Sequence, residues 1–578
     1  MYILGLSCFY HDAAACLLKD GVPVAAASEQ AFTRKKHDES FPIHAIQWAL
    51  EEAGITMEQV EVVAFYDKPL VKFERILKSH LASFPRSFPQ FVRGIPSWFS
   101  TKLRIDKMLK REFGYDGAIV YGQHHASHAA SAFYASGWDE ATLLTVDGVG
   151  EWSTATWGVG RGTDIELKGE IRFPHSLGLL YSAFTAYLGF KVNSAEYKVM
   201  GLAPYGEPHY VDNIKEMFHL KEDGTFRLDM SCFTFDHGLR MYNERFEAIM
   251  GQPTRPMESK TLTQFHKDVA RSVQEVVNEA MVKLATTAVE ATGIPRLCLA
   301  GGVALNCVAN GHILREAPVE DIFVQPAAGD AGGAMGVALW TWHMLLGNPR
   351  SWKMETSYLG PGYDDAKIQD TLDEFGAVYR RVERTQLLER TAELIDQAHV
   401  VGWYQGRLEW GPRALGHRSI LGDPRHPEMR DIINRKIKFR EGFRPFAPSV
   451  LEECASQYFH LDRPSPYMLL VAPVNPAGGP LPAITHVDNS ARIQTINRSQ
   501  DALYYDLIDT FRKRTGCGVI INTSMNVRGE PIVNTPADAY QCFMRTHMDA
   551  LVCGPFLLLK TEQPEIEIAS AEEAFGLD

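Results

Sequence analysis

The chain has 578 residues, of which 45% are hydrophobic and 22% charged, so it has an ordinary globular composition and is too long for one hydrophobic core. Its formal net charge of −13 at pH 7 argues against a general nucleic-acid-binding protein and against binding to anionic membranes. The nine cysteines include no Cys-x-x-Cys pair, which is typical of reduced thiols. The chain has neither a signal-peptide pattern at its start nor a run of about 18 apolar residues, and we therefore expect a soluble, cytoplasmic protein.

The first predicted elements form a strand-turn-strand pattern that occurs twice. The first copy has strands at residues 1–7, 13–18 and 22–27. A polar turn at residues 9–12 separates the first two of these strands. Residues 143–146 and 153–159 repeat the pattern around a glycine-rich turn that begins at Asp147. Two such hairpins indicate two pseudo-equivalent halves that face each other across a cleft, as in the actin-like ATPase architecture.

Three histidines fall within residues 124–128. His124 and His128 are four residues apart, so in a helix they lie on one face and form half of a divalent metal site. A histidine pair alone is more often structural, but Asp147 ends a predicted buried strand and is a typical third ligand. Asp330 opens a helix of small residues, where it is either an N-cap, the commonest use of Asp there, or a fourth ligand.

A glycine-rich segment follows a predicted strand at residues 296–300. Gly301 and Gly302 allow the backbone to approach a ligand closely, and the helix that starts after Asn306 favours anions at its N-terminus. The segment matches neither the G-x-G-x-x-G pattern nor a Walker A loop. Residues 33–37 form a basic turn, which is either a solvated charge run or presents a lysine to an anion or a reacting carbonyl.

The composition changes at residues 346–362, which are rich in glycine, proline and serine. We place a domain boundary there and predict domains at residues 1–350 and 351–578. Other predicted elements are helices at residues 176–189, 262–292 and 536–545, strands at residues 321–324 and near 549–560, and a rigid loop at residues 196–206.

The second domain contains a basic segment, residues 404–445, with ten Lys or Arg residues against five acidic ones. Nucleic-acid binding and a solvated basic face are two interpretations. The prolines and glycines of this segment fix its turns, however, and fixed arginines suit a small phosphate ligand better. A hydrophobic strand at residues 518–521 then leads to Asn522 and Ser524, at the end where open sheets bind ligands.

Together these motifs resemble the O-carbamoyltransferases of antibiotic, toxin and nodulation-factor biosynthesis over nearly the whole chain. The resemblance rests on ordered matches at His11-Asp12, Arg34–His37, His124–His128, Val146–Gly148, Glu196–Gly206, Gly301–Asn306, Gly329-Asp330, Glu409–Gly416, Phe443–Pro448 and Asn522–Ser524.

The resemblance implies an α/β protein with two functions. The first domain would have an actin-like (ASKHA) ATPase-type fold akin to the threonylcarbamoyl transferases, and the second a YrdC-like α/β fold. The second domain would form carbamoyl adenylate from carbamoyl phosphate and ATP with Mg²⁺. The first would transfer the carbamoyl group to a hydroxyl of a small molecule. Nucleic acid and membrane are not expected partners.

The resemblance also implies roles for individual residues. Carbamoyl phosphate and ATP would be bound by Arg413, Lys438, Arg444, Arg492, Asn522 and Ser524. A nucleotide in the first domain would contact Gly301, Gly302 and Asn306. A divalent metal, Fe²⁺ in this family, would be bound by His124, His128, Asp147 and Asp330. His11 and Lys36 would act in transfer.

The chemistry is physically consistent, because the alcohol must lose its proton as it attacks, and a histidine base with a pKa of about 7 such as His11 suits this step. Lys36 would stabilise the carbonyl oxygen. Alternatives are a metallohydrolase built on the histidines, an actin-like kinase, and a non-enzymatic binding or RNA-modification partner. The sequence leaves the acceptor open, although residues 68–115 and 208–260 are expected to face it. The oligomeric state is also open, and a symmetric homodimer is the ordinary arrangement for a soluble oligomer.

Overall fold

The computed structural model describes residues 1–259, 261–438, 442–565 and 575, so Arg440 of the basic segment lies outside the described residues. The chain divides into two compact units. Unit 1 comprises Met1–Glu29 and His37–Met354, and unit 2 comprises Gln30–Lys36 and Glu355–Asp578. A short piece of the N-terminal half, which includes Lys36, therefore belongs to the second unit.

Within the described residues, unit 1 contains two five-stranded sheets with the same topology. The strands of the first are β1 Tyr2–Ser7, β2 Ala14–Lys19, β3 Val22–Ser28, β4 Val60–Phe65 and β5 Ala118–Tyr121. Those that follow are β6 Glu140–Val146, β7 Ser153–Arg161, β8 Asp164–Arg172, β9 Phe218–Leu220, β10 Phe226–Leu228, β11 Arg296–Ala300 and β12 Asp321–Val324.

The first sheet has the order β3-β2-β1-β4-β5, and the second has the order β8-β7-β6-β11-β12. In each, three antiparallel strands from one hairpin pattern are followed by two parallel strands. The two predicted hairpins are therefore confirmed, and each is the start of an equivalent sheet. The antiparallel strands β9 and β10 form a separate small hairpin.

The helices up to residue 340 are α1 Gln30–Thr33, α2 Ile43–Glu52, α3 Pro69–Ala82, α4 Phe88–Ser97, α5 Ile105–Phe113, α6 His124–Ser136, α7 Leu177–Tyr187, α8 Glu196–Leu202, α9 Val211–Met217, α10 Glu244–Met250, α11 Gln264–Thr292, α12 Cys307–Glu316 and α13 Asp330–Trp340. Helix α1 belongs to unit 2 and the others to unit 1. Helices α6 and α13 pack against each other; α13 also packs on β1 and β2, and α6 on β6 and β11. The two helices therefore connect the two equivalent sheets of unit 1.

Unit 2 is built, within the described residues, on one nine-stranded mixed sheet of order β13-β21-β20-β14-β15-β19-β16-β18-β17. Its strands are β13 Arg380–Arg381, β14 Val401–Tyr404, β15 Arg418–Gly422, β16 Ala447–Leu451, β17 Leu470–Pro473, β18 Ser490–Ile496, β19 Val519–Ser524, β20 Ala550–Cys553 and β21 Phe556–Leu559. Its further helices are α14 Asp365–Glu374, α15 Arg384–Asp396, α16 Met429–Ile433, α17 Ala455–Tyr458, α18 Ala502–Thr515 and α19 Pro536–Arg545. Fully buried residues of the sheet and these helices, such as Val401, Ile520 and Phe543, form its core.

These elements confirm the α/β class and correct one local expectation. The strands β11 and β12 and the helix α19 have the predicted bounds. Residues 196–206, predicted as a rigid loop, instead form α8 and a 3-10 turn, since Gly201 lies within the helix and Pro204 within the turn. Among the described residues, none of the helices is both long enough and apolar enough to cross a membrane.

Candidate active site

The four residues predicted to bind a metal lie at the ends of three elements of unit 1. His124 is the first residue of α6 and His128 follows one turn later, so both rings lie on the same face of the helix. Asp147 directly follows β6, and Asp330 is the first residue of α13. All four side chains are buried, and one ligand atom from each lies within 4.8 Å of the others. We call these four residues the His/Asp cluster.

Glycines in α13 bring this helix close to α6. A Cβ added at Gly336 would lie 1.8 Å from the carbonyl oxygen of Ser127, and one added at Gly333 would lie 2.7 Å from the Tyr66 ring. A larger residue at Gly336 would push α13 away from α6, and one at Gly333 would displace the ring of Tyr66. The close approach of α13 to α6 at Gly336 therefore sets the distance from Asp330 to the histidines.

The side chains of the His/Asp cluster converge on one point. Nε2 of His124 is 2.9 Å from Asp147 Oδ2, and Nε2 of His128 is 3.3 Å from the same oxygen. Both Nε2 atoms are 3.6 Å from Asp330 Oδ1, and they are 3.1 Å from each other. Asp330 Oδ1 is buried without a hydrogen-bond partner. Two imidazole nitrogens and two carboxylate oxygens are a donor set that suits a divalent first-row metal, so the residues fit Fe²⁺.

Each carboxylate of the cluster is oriented by a second contact. Asp147 presents Oδ2 to the histidines, while its Oδ1 accepts a hydrogen bond of 3.1 Å from the backbone N–H of Gly302. Asp330 presents Oδ1, while its Oδ2 accepts a hydrogen bond of 3.2 Å from the hydroxyl of Tyr66. Asp330 itself caps nothing, because the N-cap of α13 is Gly329, so the N-cap interpretation of Asp330 is wrong. Such contacts fix the orientation of metal ligands and tune their affinity.

The cluster also balances its own charge. Burial lowers the pKa of His128, but its hydrogen bond to Asp147 and the charges of Asp147 and Asp330 outweigh burial and raise the pKa to about 9. Burial would raise the pKa of Asp147, but hydrogen bonds from the two histidines hold it well below its usual value. A proton on the histidines therefore offsets part of the carboxylate charge, and a divalent cation would take its place.

His125 lies beside the cluster and has a structural role. Its Nδ1 is 2.7 Å from the hydroxyl of Thr145, and its Nε2 is 2.8 Å from the carbonyl oxygen of Ser153. Burial and the charges of His124 and His128 lower its pKa to about 3, so it is neutral. Its contacts tie the start of α6 to the strands β6 and β7.

His11 lies in the turn between β1 and β2 and forms an ion pair with Asp12. Oδ2 of Asp12 is 3.0 Å from Nδ1 of His11, and Oδ1 of Asp12 is 2.8 Å from Nδ1 of His37. Burial lowers the pKa of His11, but the charge of Asp330 and the hydrogen bond to Asp12 raise it to about 10. This differs from the pKa of about 7 expected of a general base. A cation bound by Asp147 and Asp330 would offset two of the charges that raise the pKa.

The residues predicted to contact a nucleotide in unit 1 have structural contacts of their own. Gly301 has a φ of 95° and approaches β6 so closely that an added Cβ would lie 2.3 Å from the carbonyl oxygen of Val146. The backbone N–H of Gly302 donates to Oδ1 of Asp147 in the cluster. Asn306 is the N-cap of α12 and donates to Gln274 Oε1 at 3.1 Å. These three residues therefore lie beside the His/Asp cluster at the start of α12.

Lys36 and its neighbours belong to unit 2, whereas His11 belongs to unit 1. Lys36 is half-buried in the turn after α1. Two residues earlier, Arg34 donates to the carbonyl oxygen of Ile532 at 2.7 Å and to the Glu530 carboxylate at 3.0 Å, and it lies 3.4 Å from Asp538. Glu530 is 2% exposed. Arg34 therefore fixes the segment that carries Lys36 to the rest of unit 2.

In unit 2, the ammonium of Lys438 contacts Ser524 and Asn526 at the end of β19. Its ammonium donates to the carbonyl oxygen of Ser524, and to Asn526 through Oδ1 at 2.8 Å and the carbonyl oxygen at 3.0 Å. The hydroxyl of Ser524 also donates to Asn526 Oδ1 at 2.8 Å. We call Lys438, Ser524 and Asn526 the lysine patch. The structure therefore brings two of the predicted phosphate ligands into contact.

The other predicted ligands of unit 2 lie on neighbouring strands or turns. Asn522 lies two residues before Ser524 on β19, and its Nδ2 donates to Gln494 Oε1 at 2.9 Å. Gln494 is on β18, the strand that carries Arg492. The carbonyl oxygen of Ala414, next to Arg413, accepts a second bond from Asn522 at 3.2 Å. Arg413, Arg444 and Arg492 are half-buried.

Two protein-family models match the chain. "Carbamoyltransferase N-terminus" matches residues 2–339, and "Carbamoyltransferase C-terminus" matches residues 392–560. The chain belongs to the carbamoyltransferase family. It is an enzyme that transfers carbamoyl groups.

Three relatives of this carbamoyltransferase align with different fractions of its chain. An uncharacterized protein of Synechocystis sp. is 50% identical over the whole of both chains. Nodulation protein NolNO of Sinorhizobium fredii is 39% identical over 96% of this chain and 80% of its own. The 3'-hydroxymethylcephem-O-carbamoyltransferase of Amycolatopsis lactamdurans is 36% identical over 42% of this chain and 44% of its own.

Sequence reasoning missed three residues that hold the candidate site of this carbamoyltransferase together. Tyr66 binds Asp330, Asn526 binds Lys438, and Glu530 binds Arg34. Tyr66 carries a usable signal, since it directly follows the buried strand β4, at the strand end where ligands bind in open sheets. Asn526 and Glu530 lie in a loop whose composition does not distinguish them from ordinary turn residues.

Proposed function

We propose that this enzyme is an ATP-dependent O-carbamoyltransferase that forms carbamoyl adenylate and transfers its carbamoyl group to a hydroxyl of a small molecule. The observation that carries the proposal is that each of two family models covers one candidate site, the His/Asp cluster in unit 1 and the lysine patch in unit 2. Transfer to oxygen is supported by the relative named as a 3'-hydroxymethylcephem-O-carbamoyltransferase.

Unit 1 is proposed as the actin-like transfer domain and unit 2 as the YrdC-like adenylate-forming domain. The repeated sheets of unit 1, joined through α6 and α13, support the first assignment. The second rests on the motif resemblance and on the cationic side chains near the end of β19. This division gives adenylate formation the polar residues of unit 2, except Lys36, which the resemblance assigns to transfer.

Adenylate formation needs two displacement reactions, one at the phosphorus of carbamoyl phosphate and one at the α-phosphorus of ATP. Carbamoyl phosphate loses its phosphoryl group to water, and an oxygen of the resulting carbamate attacks the α-phosphorus of ATP and displaces pyrophosphate. Lys438, Arg444, Arg492 and Arg413 would neutralise the phosphates of the Mg²⁺-bound nucleotide, while Ser524 and Asn522 would orient them with neutral hydrogen-bonding groups. A hydrogen bond from Lys438 to a charged phosphate oxygen would be stronger than its bonds to the neutral oxygens of Ser524 and Asn526.

In the transfer step, the acceptor hydroxyl attacks the carbamoyl carbon, AMP leaves, and the hydroxyl proton passes to a base. His11 would take this proton in its neutral form, and Lys36 would stabilise the carbonyl oxygen as negative charge develops there. Gly301, Gly302 and Asn306 would offer the start of α12 to the nucleotide phosphate. Fe²⁺ bound by the His/Asp cluster would supply Lewis acidity and position the adenylate phosphate.

The proposal is tested by incubating the metal-loaded enzyme with ATP, carbamoyl phosphate and a panel of alcohols while the nucleotides and pyrophosphate are quantified. We expect pyrophosphate and AMP in equal amounts, together with a carbamate ester of one or more alcohols. ADP as the sole nucleotide product would contradict the adenylate route and favour a kinase. Carbamate ester formed without ATP would contradict ATP dependence.

A further inference from the structure

Unit 1 contains a pocket of about 180 Å³ beside the candidate active site. Most of its lining residues are apolar or aromatic, with Phe9, Phe65 and Trp98 among the aromatic ones. The loop after β1, the end of β4, the helix α3 and the segment that follows α4 form its walls. Residues 68–102 contribute much of this lining, and they belong to a stretch that the sequence analysis expected to face the acceptor.

The pocket shares its wall with the candidate active site. Tyr10 lines the pocket, and its ring centroid is 4.7 Å from that of the adjacent His11. Phe65 and Asp67 line it on either side of Tyr66, whose hydroxyl binds Asp330 of the His/Asp cluster. A molecule in this pocket is therefore close to His11, which is adjacent to Tyr10, and to the cluster, which is contacted by Tyr66.

Three cations and one carboxylate line the pocket. Lys72 is paired with Asp67 at 2.7 Å. The other two have neutral partners: Arg75 donates to the carbonyl oxygen of Gly150 at 3.2 Å, and Lys102 donates to the carbonyl oxygen of Phe9 at 2.7 Å. The described wall therefore has an excess of positive charge.

The burial of these cations is energetically costly. Arg75 is 7% exposed, and burial lowers its pKa to about 10. Burial also lowers the pKa of Lys102. The charges of Glu151 and Asp67 near Arg75, and of Glu39 and Asp67 near Lys102, offset part of this cost, but both cations donate to neutral carbonyl oxygens. A ligand that brings an anionic group to Arg75 and Lys102 would offset more of this cost, whereas a neutral ligand would not.

We propose that this pocket binds the acceptor, and that the acceptor is a small alcohol with an apolar, planar body and a carboxylate. The aromatic wall would contact the body, Arg75 and Lys102 would bind the carboxylate, and the hydroxyl would lie towards His11. This assignment rests on the proposed O-carbamoyl transfer. A nucleotide phosphate would also satisfy the cations, but the largely apolar lining suits a carbon skeleton better.

The test compares two primary alcohols of the same shape, 4-(hydroxymethyl)benzoate and 4-(hydroxymethyl)benzamide, which differ in charge. Their dissociation constants are measured by ligand-observed NMR titration of the metal-loaded, full-length enzyme. We expect the benzoate to bind about tenfold more tightly than the benzamide, since a hydrogen bond to a charged group is stronger than one to a neutral group. Equal binding, tighter binding of the benzamide, or saturable binding of neither would overturn the proposal.

Variants of one pocket residue test whether the preference for the benzoate over the benzamide arises in the pocket. Arg75→Met should reduce it to less than about twofold, while Arg75→Lys, which keeps the charge, should retain most of it. Arg93→Met is the matched control, because Arg93 is exposed on the nearby helix α4. A preference that survives in Arg75→Met, or one that Arg93→Met removes, would overturn the assignment. Circular dichroism of each variant shows that it is folded.

A competition experiment distinguishes a site for the acceptor from a site that binds any anion. Inorganic phosphate is titrated against bound 4-(hydroxymethyl)benzoate. We expect the inhibition constant of phosphate to be at least about tenfold higher than the dissociation constant of the benzoate. Phosphate that competes equally well would show that the pocket takes phosphate groups and would overturn the acceptor assignment. The titrations contain neither ATP nor carbamoyl phosphate, so their outcome is independent of whether the enzyme releases pyrophosphate.

Discussion

The His/Asp cluster of unit 1 and the lysine patch of unit 2 arrange charge in opposite ways. In the cluster, two carboxylates face two imidazoles, and the raised pKa of His128 places a proton among them. In the patch, the ammonium of Lys438 contacts oxygens of Ser524 and Asn526 that carry no charge. The cluster is therefore suited to receive a cation, whereas in the patch an ammonium is held by backbone carbonyl and side-chain amide oxygens.

The two regions also differ in what holds them in place. The cluster depends on backbone packing, because α6 and α13 approach each other at Gly336. The patch depends on a chain of side-chain contacts, in which Asn526 binds Lys438 and donates to the carbonyl oxygen of Glu530, whose carboxylate binds Arg34. A substitution in the cluster should therefore have a local effect on metal binding. One in the chain of contacts should affect the stability of unit 2 as well as its chemistry.

The largest expected effect is the loss of the metal in His128→Ala. This variant removes one of four converging donors and leaves a buried carboxylate pair without its balancing proton. Metal analysis of the purified protein should fall from one ion per chain to background. His209→Ala is the control, because the side chain of His209 is 67% exposed and pairs with Asp268 outside the cluster. Full metal retention in His128→Ala would mean that the histidines are structural.

Arg34→Met should destabilise unit 2 by about 3–5 kcal/mol, because it leaves the carboxylate of Glu530 buried without its partner. Burial already raises the pKa of Glu530, and Arg34 offsets part of that rise. Urea unfolding measures the loss. The double variant Arg34→Met with Glu530→Gln should recover part of the stability, since it removes the unpaired charge. If the double variant is less stable than Arg34→Met, then the ion pair is not the source of the effect.

The proposed division of labour predicts different defects in two variants. Arg444→Ala should reduce pyrophosphate release by about 10²–10³-fold, because it removes a cation from the proposed phosphate site of unit 2. His11→Asn should leave pyrophosphate release unchanged and block formation of the carbamate ester, because the imidazole would act in transfer. Both products are measured in the same reaction. If both variants lose the same half-reaction, the two sites do not divide the chemistry as proposed.

The sequence predicted the His/Asp cluster better than its surroundings, for physical reasons. His124 and His128 have helical spacing, and Asp147 ends a buried strand, so local patterns place their side chains. The strands and helices with strong hydrophobic periodicity were also predictable. Residues 196–206 were not, because the glycine and proline that favour a loop in isolation are accommodated here in α8 and the turn that follows it.

Contacts between distant parts of the chain carry no local signal. Arg34 and Glu530 are 496 residues apart, and the assignment of Gln30–Lys36 to unit 2 follows from such contacts. The pKa of His11 depends in the same way on Asp330, which lies far along the chain. Residue type and spacing therefore predict which groups form a site. The charge state of each group depends on neighbours that the fold supplies.

The smallest expected effect concerns the hydroxyl of Tyr66, which tests whether backbone packing alone positions the cluster. Tyr66→Phe keeps the ring against Gly333 and removes the hydrogen bond to Asp330 Oδ2. The dissociation constant of the metal should rise by about 10–100-fold, which is typical for the loss of a contact that orients a ligand. Metal competition titrations measure it, with Tyr121→Phe, at an exposed tyrosine, as the control. An unchanged constant would show that the packing of α13 on α6 holds Asp330 without help from Tyr66.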